Sequence, residues 1–90
     1  MDGYREAVAK YYQIYRLLQK KHDLREQGHF EDGKNCIEIW EYKDGREERC
    51  ICKITDDEPE GCYKRAAEDL RNYKKKMEEI QSEISTDMAS

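Results

Sequence analysis

NCIEIWEYKDGREERCICKI, residues 35–54, holds two strand-like runs on either side of Asp44-Gly45. Asp-Gly suits a two-residue hairpin turn, because both central residues of that turn take positive φ. A regular ladder closed by this turn sets Ile39 against Cys50 and Ile37 against Cys52. It also sets Trp40 against Arg49, Tyr42 against Glu47, Cys36 against Lys53, and Glu41 against Glu48, a like-charge pair that opposes pairing. One face then carries Ile37, Ile39, Cys50, Cys52 and Ile54 and belongs against the rest of the fold. The other carries Trp40, Tyr42 and Ile51 among Cys36, Glu38, Glu47, Arg49 and Lys53.

Helical patterns flank this hairpin. Before it, Tyr4, Val8, Tyr11, Tyr15 and Leu18 recur at spacings of three and four, widened by Ala7, Ile14 and Leu17. The reading is a helix over about 3–27, with Asp2 placed to cap it and Gly28 to end it. GHFEDGK, residues 28–34, reads as a connector. After the hairpin, Asp57 and Glu60 have capping-box spacing and Pro59 suits a first helical turn. The second helix, about 58–84, shows a heptad-like seam of Tyr63, Ala66, Leu70, Tyr73, Met77, Ile80 and Ile84. Residues 85–90 show no pattern and are expected to fray.

The expected architecture is α+β over a single domain, residues 1–90: helix, β-hairpin, helix (αββα), with two long amphipathic helices on a two-stranded antiparallel sheet. A lone hairpin is marginal and exposes both edges. One copy is therefore expected to be completed by dimerisation, using the seam at Tyr63, Leu70, Tyr73, Met77, Ile80 and Ile84.

Charged residues make up 42% of the chain and hydrophobic ones 37%, with a net charge of −4. The charge is uneven. Residues 1–25 hold six Lys/Arg against three Asp/Glu; residues 26–60 hold five against twelve; the remainder balances at six and six. An acidic middle opposes a direct nucleic-acid role through phosphate contacts. Neither a membrane-spanning run nor a signal-peptide core is present, so a cytoplasmic protein is expected. Its four cysteines, Cys36, Cys50, Cys52 and Cys62, then read as small hydrophobes in a reducing compartment.

Several chemistries can be weighed on residue type and spacing. Zinc would draw on the four cysteines with His22 and His29, but there is no CxxC knuckle and Cys36 faces away from Cys50 and Cys52; no metal is expected. A redox dithiol fails because residues two apart on a strand are separated by about 6.6 Å. Seven of the chain's aromatics are tyrosine, and Tyr4, Tyr11, Tyr12 and Tyr15 share the first helix with Arg16, Lys20 and Lys21. A small-ligand or nucleotide module would stack its ligand on Trp40 and meet a phosphate with Arg49 or Arg16. The glycine-rich phosphate loops that usually accompany this are missing, and no cofactor is expected. No arrangement of nucleophile and base is indicated, so the chain is expected not to be an enzyme.

A small acidic protein-binding protein is the expectation that remains, an adaptor or inhibitor acting by surface occlusion. Its contacts would be Trp40, Tyr42, Arg49, Glu41, Glu47 and Glu48, with Tyr12 and Arg16 second. A basic surface, such as that of a nucleic-acid-binding protein, is the matching partner. Small size, acidity and the lack of catalytic motifs also characterise phage-encoded inhibitors of bacterial defence systems, such as anti-CRISPR proteins. That is an analogy of class, carried by no motif.

Overall fold

A computed structural model describes residues 3–89, with side chains described through residue 81. The chain forms α1 (Gly3–Gln19), β1 (Leu24–Glu31), β2 (Lys34–Lys43), β3 (Arg46–Asp56) and α2 (Pro59–Ala89). The fold is α+β, but its sheet has three antiparallel strands in the order β1-β2-β3 rather than the expected two. Ser90 and the expected cap Asp2 lie outside the described residues, as does the side chain of Ile84.

The extra strand comes from what reads as the end of the first helix and a connector. The apolar stripe of α1 stops at Leu18, and Lys20-Lys21-His22-Asp23 offers nothing to continue it. The helix closes there, with the backbone N–H groups of Lys21 and His22 both donating to the Leu18 carbonyl at 3.0 Å. Leu24–Glu31 then turns back on Lys34–Glu41 through Asp32-Gly33. Asp32 and Gly33 have φ of 53° and 76°, and Asp44 and Gly45 have 55° and 77°. Two Asp-Gly dipeptides thus close two hairpins, both through positive φ at each central residue.

The β2–β3 ladder departs from the regular register. Near the turn Tyr42 faces Glu47, as expected, but two bulges on β3 shift the rest. Glu41 faces Arg49, Trp40 faces Cys50, Ile39 faces Cys52, and Ile37 faces Ile54. Glu48 and Ile51 are the extra residues, each facing no single partner. The expected Glu41–Glu48 repulsion is therefore replaced by an opposite-charge pair, with Arg49 Nε 2.9 Å from Glu41 Oε1. The bulges also turn Cys50 outward, where it is exposed, and Arg49 inward toward α2.

Both helices cover one face of the sheet. Ile37, Ile39, Cys52 and Ile54 pack there with Cys62, Ala66, Ala67 and Leu70 of α2 and with Tyr11, Ile14, Tyr15 and Leu18 of α1. The small side chains at 62, 66 and 67 let α2 lie close to the sheet. β1 contributes only Leu24 to this core. It is tied instead by polar bonds: the Tyr15 hydroxyl donates to the Leu24 carbonyl at 3.0 Å, and Gln19 Nε2 to the same oxygen at 3.1 Å. At the start of α2, Asp56 Oδ1 accepts the Glu58 backbone N–H at 2.9 Å, a turn made by the residue before the expected cap, Asp57.

A 31-residue α2 is about 46 Å long and overshoots both the sheet and α1. It remains helical to Ala89, through most of the tail expected to fray. Of its seam, Leu70 is buried, Tyr63 packs on Tyr4 and Tyr11, and Tyr73 packs on His22. That half is covered within one copy. Met77 is half-buried and Ile80 is 40% exposed, so among the described seam residues these two are the less covered end. Among the described residues, no helix is long and apolar enough to cross a membrane.

Candidate functional site

The sheet face opposite the helices is where chemistry-bearing residues collect. β2 carries no bulge, so Cys36, Glu38, Trp40 and Tyr42 alternate outward along it, between outward residues of β1 and β3. Arg25 of β1 and Cys50 of β3 flank Trp40; Gln27 and Lys53 flank Glu38; His29 and Thr55 flank Cys36.

The aromatic half of this face is centred on Trp40 and Tyr42, both half-buried. The Arg25 guanidinium lies over the Tyr42 ring, 4.3 Å from its centroid, a cation–π arrangement. The Tyr42 hydroxyl donates to Glu47 Oε1 at 3.2 Å, and the phenol is pushed above its ordinary range by loss of solvent and by that carboxylate. Trp40 Nε1 donates to Glu38 Oε1 at 2.9 Å. Each ring therefore has a fixed polar tip beside an apolar body on the open face, a pairing suited to interfaces.

In the polar half, beside the Asp32-Gly33 turn, His29 Nε2 stands 3.3 Å from Glu38 Oε2 and 3.5 Å from Glu31 Oε2. Lys53 Nζ donates to Glu31 Oε1 at 3.1 Å. Cys36, on the same face, is buried beneath these groups, and the loss of solvent raises its thiol above the ordinary range.

Of the contact residues read from the sequence, the structure brings Trp40, Tyr42 and Glu47 together on this face. It leaves Glu48 exposed at the adjoining bulge. Glu41 is not with them. Its side chain is only 14% exposed and lies on the helix side, with His22 Nδ1 at 3.2 Å. Arg49 bridges Glu41 and the Tyr73 hydroxyl, and the carboxylate first, then the phenol, holds the guanidinium above its usual range. Trp40 and Arg49, offered together as grips on a nucleotide, lie on opposite faces of the sheet.

Tyr12 and Arg16 lie elsewhere, on α1. Tyr12 donates to Glu26 Oε1 at 3.2 Å, and Arg16 sits 5.7 Å from the Tyr12 ring centroid. Tyr11 donates to Glu26 Oε2 at 2.6 Å. These phenols form one cluster with Tyr15 and Tyr63 above β1. Burial first, then Glu26, raises the Tyr11 phenol; burial with the same carboxylate pushes Tyr12 up to about 12. Much of the tyrosine enrichment is therefore core construction.

Arg25, Gln27, His29 and Glu31 join the open face only because residues 24–31 form a strand. A helix through 27 assigns Arg25 to a different surface altogether. The second Asp-Gly dipeptide, at 32–33, is the signal that locates them.

A different surface lies where α1 ends beside α2. Leu17, Leu18, Met77 and Ile80 line a groove of about 730 Å³ rimmed by Lys20, Lys21 and Lys74. Comparison with known protein families, with characterised proteins and with solved structures gave no match.

Proposed function

We propose that this protein is a non-enzymatic binding protein, an adaptor or inhibitor that acts by occlusion, whose working surface is the open sheet face. The observation that carries this reading is the Arg25–Tyr42–Trp40 row on the sheet face that neither helix covers. A row of two anchored aromatic rings and an arginine has the composition of an interface hot spot. Glu38, Glu47 and Glu48 surround it, within a middle segment of net charge −7. The partner is accordingly a protein presenting a cationic surface, such as one that itself handles nucleic acid.

The test is retention of one dominant protein by the immobilised chain, compared across variants. Joint replacement Trp40→Ala and Tyr42→Ala is expected to weaken retention by at least about 30-fold, the equivalent of a hot-spot loss of about 2 kcal/mol. Added salt should weaken it further. Lys10→Ala, at an exposed position of α1 outside the contact residues, should leave it unchanged. Retention that survives the double replacement, or that ignores salt, rules this surface out.

The assembly is a two-fold dimer through the distal half of α2, which is supported by the incompletely covered Met77 and Ile80 and by charge order. Lys74, Lys75 and Lys76 precede Glu78 and Glu79. Two copies of the helix running antiparallel place each basic run beside the partner's acidic one and seat Ile80 over the Leu17–Leu18 groove.

A further inference from the structure

We propose that the polar half of the open face binds a single divalent transition metal, zinc by preference, through His29, Glu31, Cys36 and Glu38. One ligand atom from each of these four residues lies within 4.8 Å of all the others. The sequence arrangement that creates the cluster is compact: His-x-Glu on β1 and Cys-x-Glu on β2, joined by the Asp32-Gly33 turn. His29 and Cys36 are directly paired across the strands, and alternation puts Glu31 and Glu38 on the same face, one to each side. Neither half of this pattern resembles a zinc knuckle, which is why the cysteine spacing alone does not reveal it.

Three details favour a metal over a plain ionic cluster. His29 Nε2 points between two carboxylate oxygens, Glu31 Oε2 and Glu38 Oε2, at 3.5 and 3.3 Å. Glu31 Oε2 is sealed from solvent and no donor meets it in hydrogen-bonding geometry, although Lys53 Nζ lies 3.0 Å away and bonds to Oε1. Glu38 is held from behind by the Trp40 indole on its Oε1, leaving Oε2 to face the histidine. The two carboxylates thus each have one anchored oxygen and one directed at the cluster centre, the arrangement that orients metal ligands.

The donor set selects the metal. A thiolate and an imidazole favour zinc or its cobalt(II) substitute over magnesium or calcium, and the two carboxylates complete four-coordination. Bond lengths of 2.0 to 2.3 Å at tetrahedral angles put ligand atoms about 3.5 Å apart. The cluster needs to contract by up to about 1.3 Å at its widest, within reach of side-chain rotation. Binding transfers the Cys36 thiol proton to solvent and forms the sulfur–metal bond. One thiolate and two carboxylates supply −3, the metal +2 and Lys53 +1, so the bound site is neutral.

Cobalt(II) added to the chelator-treated full chain is the test, read by tetrahedral visible absorption and a near-ultraviolet thiolate charge-transfer band. One equivalent per chain is expected, displaced by zinc(II), with a rise in Tm on zinc addition. Cys36→Ser should abolish the charge-transfer band and weaken zinc binding at least about tenfold, while Cys50→Ser leaves both unchanged. Because Cys36 is buried, Glu38→Gln, which keeps the side chain's size, serves as a second variant and should weaken binding with the band retained. No band, or a band that survives Cys36→Ser, overturns the proposal. So does zinc affinity that is unaffected by Glu38→Gln.

Discussion

Leu70→Ala is expected to cost about 2–5 kcal/mol of folding free energy, the range for emptying a packed core position. Leu70 is fully buried where α2 crosses the sheet, in one cluster with Ile39, Cys52 and Tyr11. The helix there is lined by Cys62, Ala66 and Ala67, whose small side chains have little reach to refill a cavity. In a chain of 90 residues such a loss is a large share of total stability. Ile80→Ala, ten residues on along the same helix, should cost the dilute protein clearly less than Leu70→Ala, because Ile80 is 40% exposed at the rim of the groove beside the end of α1. Its effect should instead appear in sedimentation, as a weakened dimer. Urea unfolding of both variants checks the pair. Equal losses would mean that the distal seam is buried within one copy.

The second large effect concerns Glu26, which accepts hydrogen bonds from both Tyr11 and Tyr12. Glu26→Ala strands the Tyr11 hydroxyl in a fully buried position, at a cost of about 1–3 kcal/mol. Tyr11→Phe removes the stranded group, so the double variant should be less destabilised than the sum of the two single ones, with a coupling of about 0.5–3 kcal/mol. There is a pH signature as well. Burial first and then Glu26 raise the Tyr11 phenol above its ordinary value near 10. A group whose folded pKa is raised adds stability that is fully present below its unfolded pKa and is lost as pH rises beyond it. Stability should therefore fall above about pH 10, and less steeply in Tyr11→Phe. Additive losses and an unchanged alkaline limb would separate Glu26 from the tyrosines and remove β1 from beneath α1.

That bond also shows where sequence reading reaches its limit. The β2–β3 hairpin is legible because Ile37, Ile39 and Ile54 alternate with polar residues about an Asp-Gly turn. β1 has the same kind of turn, at Asp32-Gly33, but its inward positions are Leu24, Glu26, Gly28 and Phe30. Leu24 alone is buried, and Phe30 is 73% exposed. One buried apolar side chain makes no period, so backbone pairing and the Tyr11, Tyr12 and Tyr15 hydroxyls hold the strand instead.

The bulges are invisible for a related reason. Nothing in the residue types at Glu48 and Ile51 distinguishes an extra residue from a paired one, yet each shifts every pairing beyond it. The open face was consequently legible only on β2, where Trp40 and Tyr42 keep strict alternation. The places of Glu41, Arg49 and Cys50 depend on β3 and were not. Arg25 and His29 could be placed only once β1 was known to be a strand.

Trp40 is the chain's single tryptophan, so its fluorescence reports on the open face without labelling. Titration with the purified partner, followed by emission and by acrylamide quenching, should shift the emission to shorter wavelength and protect the indole as the complex forms. Emission and quenching that stay those of the free protein while binding saturates would place the partner on another surface and contradict the account.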